Sequence, residues 1–517
     1  MKKRLTTSIY TFETIIEQNG MYVDKTRDIY QLVREMEGQF FLSRPRRFGK
    51  SMTLSTLKAI FEGKKELFKG LYIYEQDYDW QKHPIIHLSL NSMSSENISD
   101  FSKRLCIALD RIADENEIKL LDGSETIKFE DLIYKLHKKY CKVVVLIDEY
   151  DKPILDNILK KTEVSAVRDL LKRFYGIIKA CESMIRFTFI TGVGKFSKVS
   201  IFSDLNNLTD ITMHPDFATL CGFTQEECEH YFAEYIEENA LQLKMSKEAY
   251  LQKLKDTYNG IRFTKKDLQV YNPVSFTRAM SDCDFNNYWF ETGTPTFLLK
   301  MLKEQNYNMI ELEAMKLKPS TFTCYEVERI QPEALLYQTG YLTIKNYDPQ
   351  TDVYTLSYPN REVRESFVEK LVDYFTPVNF ARVPSLLDTF IEGINCNNFE
   401  DVLLVLNAFY AKIDNSIKIK HEKYYQTVFY IFFTLLGYRL KVEVNTNRGR
   451  MDAVLFTDNH IYIFEFKLDK PAATAIEQIK QRGYSQRFAD DKRKIIMIGV
   501  AFTSETGEIK EHLIEEF

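Results

Sequence analysis

Four residues, Phe48-Gly49-Lys50-Ser51, stand where the apolar run Phe40-Phe41-Leu42 gives way to an amphipathic stretch beginning at Ser51. A glycine, a lysine and a hydroxyl in that order, between a strand and a helix, can bind phosphate. Gly49 lets the backbone come close, Lys50 reaches the β- and γ-phosphates, and the Ser51 hydroxyl binds Mg²⁺. Further along, Asp148 and Glu149 follow the apolar run "VVVLI". Consecutive acids at the carboxyl end of a buried strand suit phosphoryl chemistry. The first holds Mg²⁺ through water, and the second polarises the attacking water. A chance Gly-Lys-Ser and a solvated strand end are the bland alternatives; both motifs together, in this order on a β–α pattern, favour a nucleotide site. Arg44 takes the position where such a loop ordinarily has its first glycine. Arg44, Arg46 and Arg47 could pair with phosphate or with an acidic neighbour. Thr191, ending "RFTFIT", suits a polar sensor of the γ-phosphate or an ordinary strand end.

A second group lies near the other end, in "GRMDAVLFTDNHIYIFEFKLDK". Asp458-Asn459 between two alternating runs predicts a two-residue hairpin turn. That register pairs Thr457 with His460, Phe456 with Ile461, Val454 with Ile463 and Asp452 with Glu465. Opposed residues share a face, and Lys467, two further on, shares it too. Two opposed carboxylates repel unless a cation lies between them or one is protonated. Mg²⁺ or Mn²⁺ on hard oxygen ligands explains the pair. Lys467 would then orient water and stabilise charge on a scissile phosphate. The plain alternative is a Lys467–Glu465 surface pair with Asp452 in a turn. Glu422 and Glu443 are candidate accessory acids, and Gln478, in the helix that follows, is a further accessory candidate. Arg439, Lys441, Arg448 and Arg450 precede the trio and suit contacts with a nucleic-acid backbone or a solvated surface.

The elements that position these groups follow from pattern. In residues 1–215, Gln39–Ser43, Pro84–Leu90, Val143–Ile147 and Phe187–Thr191 read as strands, separated by helical stretches at Ser51–Phe61, Ile98–Asn116 and Val164–Cys181. That alternation predicts an α/β fold with a parallel sheet covered on both faces. Residues 216–370 read as a helical lid ending in a winged-helix-like hairpin, "YLTIKNY" and "VYTLSY". Residues 371–415 read as a helical connector. Residues 416–517 begin with a long apolar helix and end in strands.

Composition narrows the class. The chain has 517 residues, 44% hydrophobic and 14% aromatic, with 19 Gly and 13 Pro, which is globular and long enough for several domains. A net charge of −5 excludes a polycation, so nucleic-acid binding needs a local basic face. Residues 411–450 offer one, with eight Lys/Arg against three acids. Eight scattered cysteines without C-x-x-C read as reduced thiols. With no signal-like start and no long apolar span, the expectation is a cytoplasmic protein with no membrane partner.

The stretches "YVDKT", "FFLSRPRRFGKS", "LIDEYDKPI", "FITGVGKFSKVSIFSDLNNLTDIT", "YNGIRF", "VYNP", "LLYQTGYLTI" and "YPNREVRESF" together resemble the bacterial AAA-ATPase-like family, whose members commonly carry a C-terminal PD-(D/E)xK nuclease-like domain. In that family "RPRRFGKS" is the usual phosphate loop, so Arg44 fits. The resemblance implies a P-loop NTPase sheet, ATP as a ligand that is bound and hydrolysed, and a restriction-endonuclease-like α/β domain at the C-terminus. Asp452, Glu465 and Lys467 take its Asp, Asp/Glu and Lys positions. The implied function is a metal-dependent nuclease, DNA favoured, linked to an ATPase. The alternatives are a nucleotide-sensing interaction protein that binds without cutting, and an oligomeric motor with Arg186 or Arg46/Arg47 as arginine finger.

Overall fold

The computed structural model describes the chain apart from residue 1, the gaps 35–37, 94–96, 158–159, 196–200, 203–204, 206, 447–448, 458 and 507, and most of 290–331, 376–397 and 412–438. Two compact units are formed: Met1–Glu291 with Met315–Val363, and Thr292–Ala314 with Arg364–Phe517.

Unit 1 is built on five parallel strands. They are β1 (Gly38–Ser43), β2 (Ile85–Ser89), β3 (Val143–Asp148), β4 (Ile185–Gly192) and β5 (Thr209–Asp210), in the order β2-β3-β4-β1-β5. Every residue of β3 is buried, as a strand covered on both faces requires. The covering helices are α1 (Lys50–Phe61), α2 (Ile98–Glu115), α3 (Glu125–Lys139) and α4 (Lys161–Ala180). In α2, Phe101, Leu105, Leu109 and Ala113 recur every fourth residue and are the buried stripe. Its start is fixed by the Asn97 side chain, which accepts the Asp100 amide at 2.9 Å.

The strand order has a functional consequence. β4 lies between β1 and β3, so Thr191 at its end stands between the phosphate loop and the acidic pair. The hairpin expected near the end of the lid is present as Thr343–Asp348 and Val353–Ser357. A third strand, Met315–Leu317, not expected from the sequence, pairs with the second of these.

In unit 2, five strands run in sequence order: β6 (Arg439–Thr446), β7 (Gly449–Phe456), β8 (His460–Leu468), β9 (Lys494–Phe502) and β10 (Ile509–Glu516). Only β8 and β9 are parallel, joined by α5 (Ala472–Arg482). The β7–β8 register pairs Phe456 with Ile461 and Val454 with Ile463, as expected from the turn. The apolar helix expected after residue 416 lies outside the described residues. Among the described residues, no helix is long and apolar enough to cross a membrane.

Candidate functional site

The loop between β1 and α1 turns on Gly49, whose φ of 95° is open to glycine and strained for other residues. A Cβ there would meet nothing within 4 Å, so backbone conformation, not space, explains the residue. The turn folds Lys50 back across the loop. Its Nζ donates to Arg44 O at 3.0 Å and Pro45 O at 2.9 Å, closing residues 44–50 into a ring. Burial pushes the Lys50 ammonium down, against the pull of Asp148 and Glu149.

Asp148 is gripped from both sides. Ser51 Oγ donates to its Oδ2 at 2.6 Å, and Thr191 Oγ1 donates to its Oδ1 at 2.6 Å. Phosphate loop, acidic strand end and middle strand thus meet at one buried carboxylate. Its hard oxygens and the Ser51 hydroxyl are a donor set that suits Mg²⁺. Glu149 follows in the left-handed region, at φ 54°, an uncommon conformation for a non-glycine residue that clusters at functional sites. Burial pushes its carboxyl up, while Lys50 opposes the shift.

The three loop arginines separate. Arg44 is fully buried behind the loop, where Nη1 donates to Ser43 O and Thr212 O, Nη2 to Phe217 O, and the guanidinium lies 4.0 Å from the Phe263 ring centroid. Its partners are carbonyls and a ring rather than an acid, and it stitches the loop to residues 212–217. Arg46 is exposed. Arg47, at φ 66°, donates Nη1 to Tyr288 O at 3.0 Å. Phe48 is buried, and its ring meets Phe263 and Trp289 edge-on. Arg186 is the second residue of β4, roughly 15–20 Å along the strand from Thr191 by strand rise, and donates to Val33 O.

Sequence reasoning missed Asp151. It is buried, and its carboxylate accepts Val193 N at 3.0 Å and Gly194 N at 2.6 Å, joining the acidic turn to the end of β4. Burial pushes this carboxyl up to about 6, against its bonds to the backbone. The signal was present as a third acid in "IDEYD", three residues after Asp148.

In unit 2 the β7–β8 ladder reaches Ala453–Phe464, and beyond it the Asp452 carboxylate takes the Phe466 amide at 2.7 Å. Lys467 Nζ donates to Glu465 Oε1 at 2.9 Å and to Phe466 O. Glu465 and Lys467 are 1% and 8% exposed, so the pair is interior and not a surface ion pair. Gln478, on α5, donates to the same Glu465 oxygen, and the Tyr484 phenol is hydrogen-bonded to Gln478.

Gly499 makes this approach feasible. It pairs with Glu465 across β8 and β9, and a Cβ there would stand 2.6 Å from Ala472 O and 3.0 Å from Ala475 Cβ. The helix therefore packs onto bare backbone, and Gln478 reaches the strand. Glu443 lies in β6 between Val442, paired with Ala453, and Val444, paired with Met451. Its side chain lies outside the described residues, as do Glu422 and the side chains of Arg439, Lys441, Arg448 and Arg450. Among the described residues, no group of three or more His, Cys, Asp and Glu could hold a metal. Asp452 and Glu465 supply two carboxylates, a partial oxygen set that fits a hard cation.

The sheet and these two residue groups define an α/β protein with a phosphate-loop, ATPase-like unit and a nuclease-like unit. Comparison with known proteins agrees. The model of a family described as a predicted AAA-ATPase matches residues 6–202, and that of the PD-(D/E)XK nuclease superfamily matches residues 420–512. A relative described as an uncharacterized protein in the vnfD 5' region of Azotobacter chroococcum mcd 1 is 34% identical over 526 residues, covering 99% of each chain. The chain belongs to this AAA-ATPase-like family with a C-terminal PD-(D/E)XK domain. Solved structures with slight likeness include Cdc6p from Pyrobaculum aerophilum, at 10% identity and TM-score 0.27, covering 67% of this chain and 91% of that one. The Aeropyrum pernix ORC1 protein in complex with DNA is similar at 11% identity and TM-score 0.25, with the same coverage.

Proposed function

We propose that the protein binds and hydrolyses ATP in unit 1 and that unit 2 cleaves nucleic-acid phosphodiesters, DNA foremost, with a divalent cation. The observation that carries the reading is the convergence of Ser51 and Thr191 on Asp148. Such convergence is the chemistry of a site that holds a cation against a phosphate, and a solvated strand end has no use for it.

Ser51 and Asp148 would hold Mg²⁺, which when bound supplies neutralising charge at the phosphate oxygens. Lys50 binds the β- and γ-phosphates. Thr191 fixes the Asp148 carboxylate, and Glu149 orients and deprotonates the attacking water, with a carboxyl that burial makes a stronger base. Arg46, exposed beside the loop, is free in position to meet phosphate, while Arg44 acts through the loop's shape.

In unit 2, Asp452 and Glu465 would hold Mg²⁺ or Mn²⁺, the group that supplies a polarised phosphate and an activated water when bound. Lys467 stabilises negative charge on the scissile phosphate. Gln478 orients Glu465, and Tyr484 orients Gln478.

Calorimetric titration of Mg²⁺·ATP, with phosphate release measured in parallel, tests the first half. The wild type binds and turns over ATP, Lys50→Ala loses binding, and Glu149→Gln binds without turnover. Binding unchanged in Lys50→Ala contradicts the assignment.

A further inference from the structure

Arg47 is half-buried in the phosphate loop, between exposed Arg46 and buried Phe48. Its backbone is held in the left-handed region, at φ 66°, an arrangement costing roughly 1 kcal/mol for a non-glycine residue. Its guanidinium bond to Tyr288 O at 3.0 Å helps to fix that conformation. The adjoining residues repeat the link: Phe48 sets its ring edge-on to Trp289, with centroids 5.9 Å apart. A Cβ built on Gly340 would stand 2.7 Å from the Trp289 ring and 2.9 Å from Pro45 Cβ. Trp289 therefore packs closely against both the loop and the Gly340 turn.

From behind, Glu362 fixes this segment. Its carboxylate is fully buried, and Oε1 accepts the Trp289 amide at 2.7 Å. These anchors stand at the places where the chain leaves unit 1, which ends at Glu291 and again at Val363. One continuous set of contacts thus runs from the phosphate loop through Tyr288–Trp289 to Glu362, with one chain exit two residues after Trp289 and the other one residue after Glu362.

We propose that Arg47 is a nucleotide-responsive tie: a phosphate oxygen of bound ATP takes its guanidinium from the Tyr288 carbonyl, and the Tyr288–Trp289 segment carries the change to both chain exits. A phosphate oxygen competes well, because a bond between two charged groups is about twice as strong as one to a neutral carbonyl. Glu362 is a positioning residue that keeps Trp289 in register while Arg47 moves. The proposal rests on the ATP-site reading above and adds how occupancy leaves the site.

The test uses the full chain. The sequence has two tryptophans, so Trp80→Phe leaves Trp289 as the sole indole. Its emission is followed during titration with Mg²⁺·ATP and with a non-hydrolysable ATP analogue, and binding is measured separately by calorimetry. Emission is expected to shift and saturate with the calorimetric Kd. Added to this background, Arg47→Ala removes the shift at saturating nucleotide and weakens binding roughly tenfold, as loss of one charged hydrogen bond implies. Arg47→Gln serves the same purpose if the alanine variant does not fold. Glu362→Gln keeps the response because its amide oxygen still accepts the Trp289 N–H, and Glu362→Ala loses it. Calorimetric binding with a silent Trp289, or an unchanged response in Arg47→Ala, overturns the tie and leaves the ATP site standing. No calorimetric binding overturns both.

Discussion

Thr191 Oγ1 lies 2.6 Å from Asp148 Oδ1, on the strand that separates the acidic pair from the phosphate loop. This contact ties the middle strand to the proposed nucleotide site. Thr191→Val keeps the shape and leaves a buried carboxylate one donor short, a loss of about 1–3 kcal/mol. The variant should melt earlier and hydrolyse ATP at least tenfold more slowly. Thermal denaturation and steady-state phosphate release check both.

Gly499 is predicted to matter to the nuclease-like unit through distance alone. Gly499→Val drives a side chain into Ala472 O and Ala475, so α5 must move away from the sheet. Overpacking of this kind costs about 1–3 kcal/mol. Unit 2 should lose stability and cleavage together, while ATP hydrolysis by unit 1 stays near wild type. Ala at the same place should show a smaller defect in both.

Buried Glu362 gives a pH signature of definite sign. Burial pushes its carboxyl from about 4.5 in the unfolded chain up to about 7, opposed by the Trp289 and Tyr288 amides and by Arg47. The folded state therefore holds a proton that the unfolded state releases. Its contribution to stability falls as pH rises from about 4.5 to about 7 and is level above that, a penalty on the order of 3 kcal/mol. Glu362→Gln keeps the acceptor and removes the titration. Denaturant midpoints measured from pH 5 to 8 should be flatter in the variant, with its advantage largest at pH 8.

Much of this was legible in the sequence because it was local. The fully apolar "VVVLI" announces a strand covered on both faces, and the alternation around Asp458-Asn459 sets a register that pairs Val454 with Ile463. Gln478 was a candidate through likeness to nucleases and not through any local pattern. What could not be read depends on order and depth. No spacing tells that β4 lies between β1 and β3, and so nothing in "RFTFIT" fixes the partner of Thr191. Arg44 looks like its neighbours Arg46 and Arg47 until the fold encloses it among carbonyls from residues 212 and 217. Glu362 meets Trp289 across 73 residues, beyond any local pattern.

The central claim joins a nucleotide site at Lys50 and Asp148 to a cleaving site at Asp452, Glu465 and Lys467. The most direct test incubates purified protein with linear and circular, single- and double-stranded DNA and RNA, with Mg²⁺ or Mn²⁺, with and without ATP. The Asp452→Ala and Lys50→Ala variants are run alongside. The account predicts metal-dependent cleavage that disappears in Asp452→Ala and changes its ATP dependence in Lys50→Ala. ATP hydrolysis without cleavage of any substrate contradicts it, and points instead to a nucleotide-driven switch whose second unit binds and does not cut.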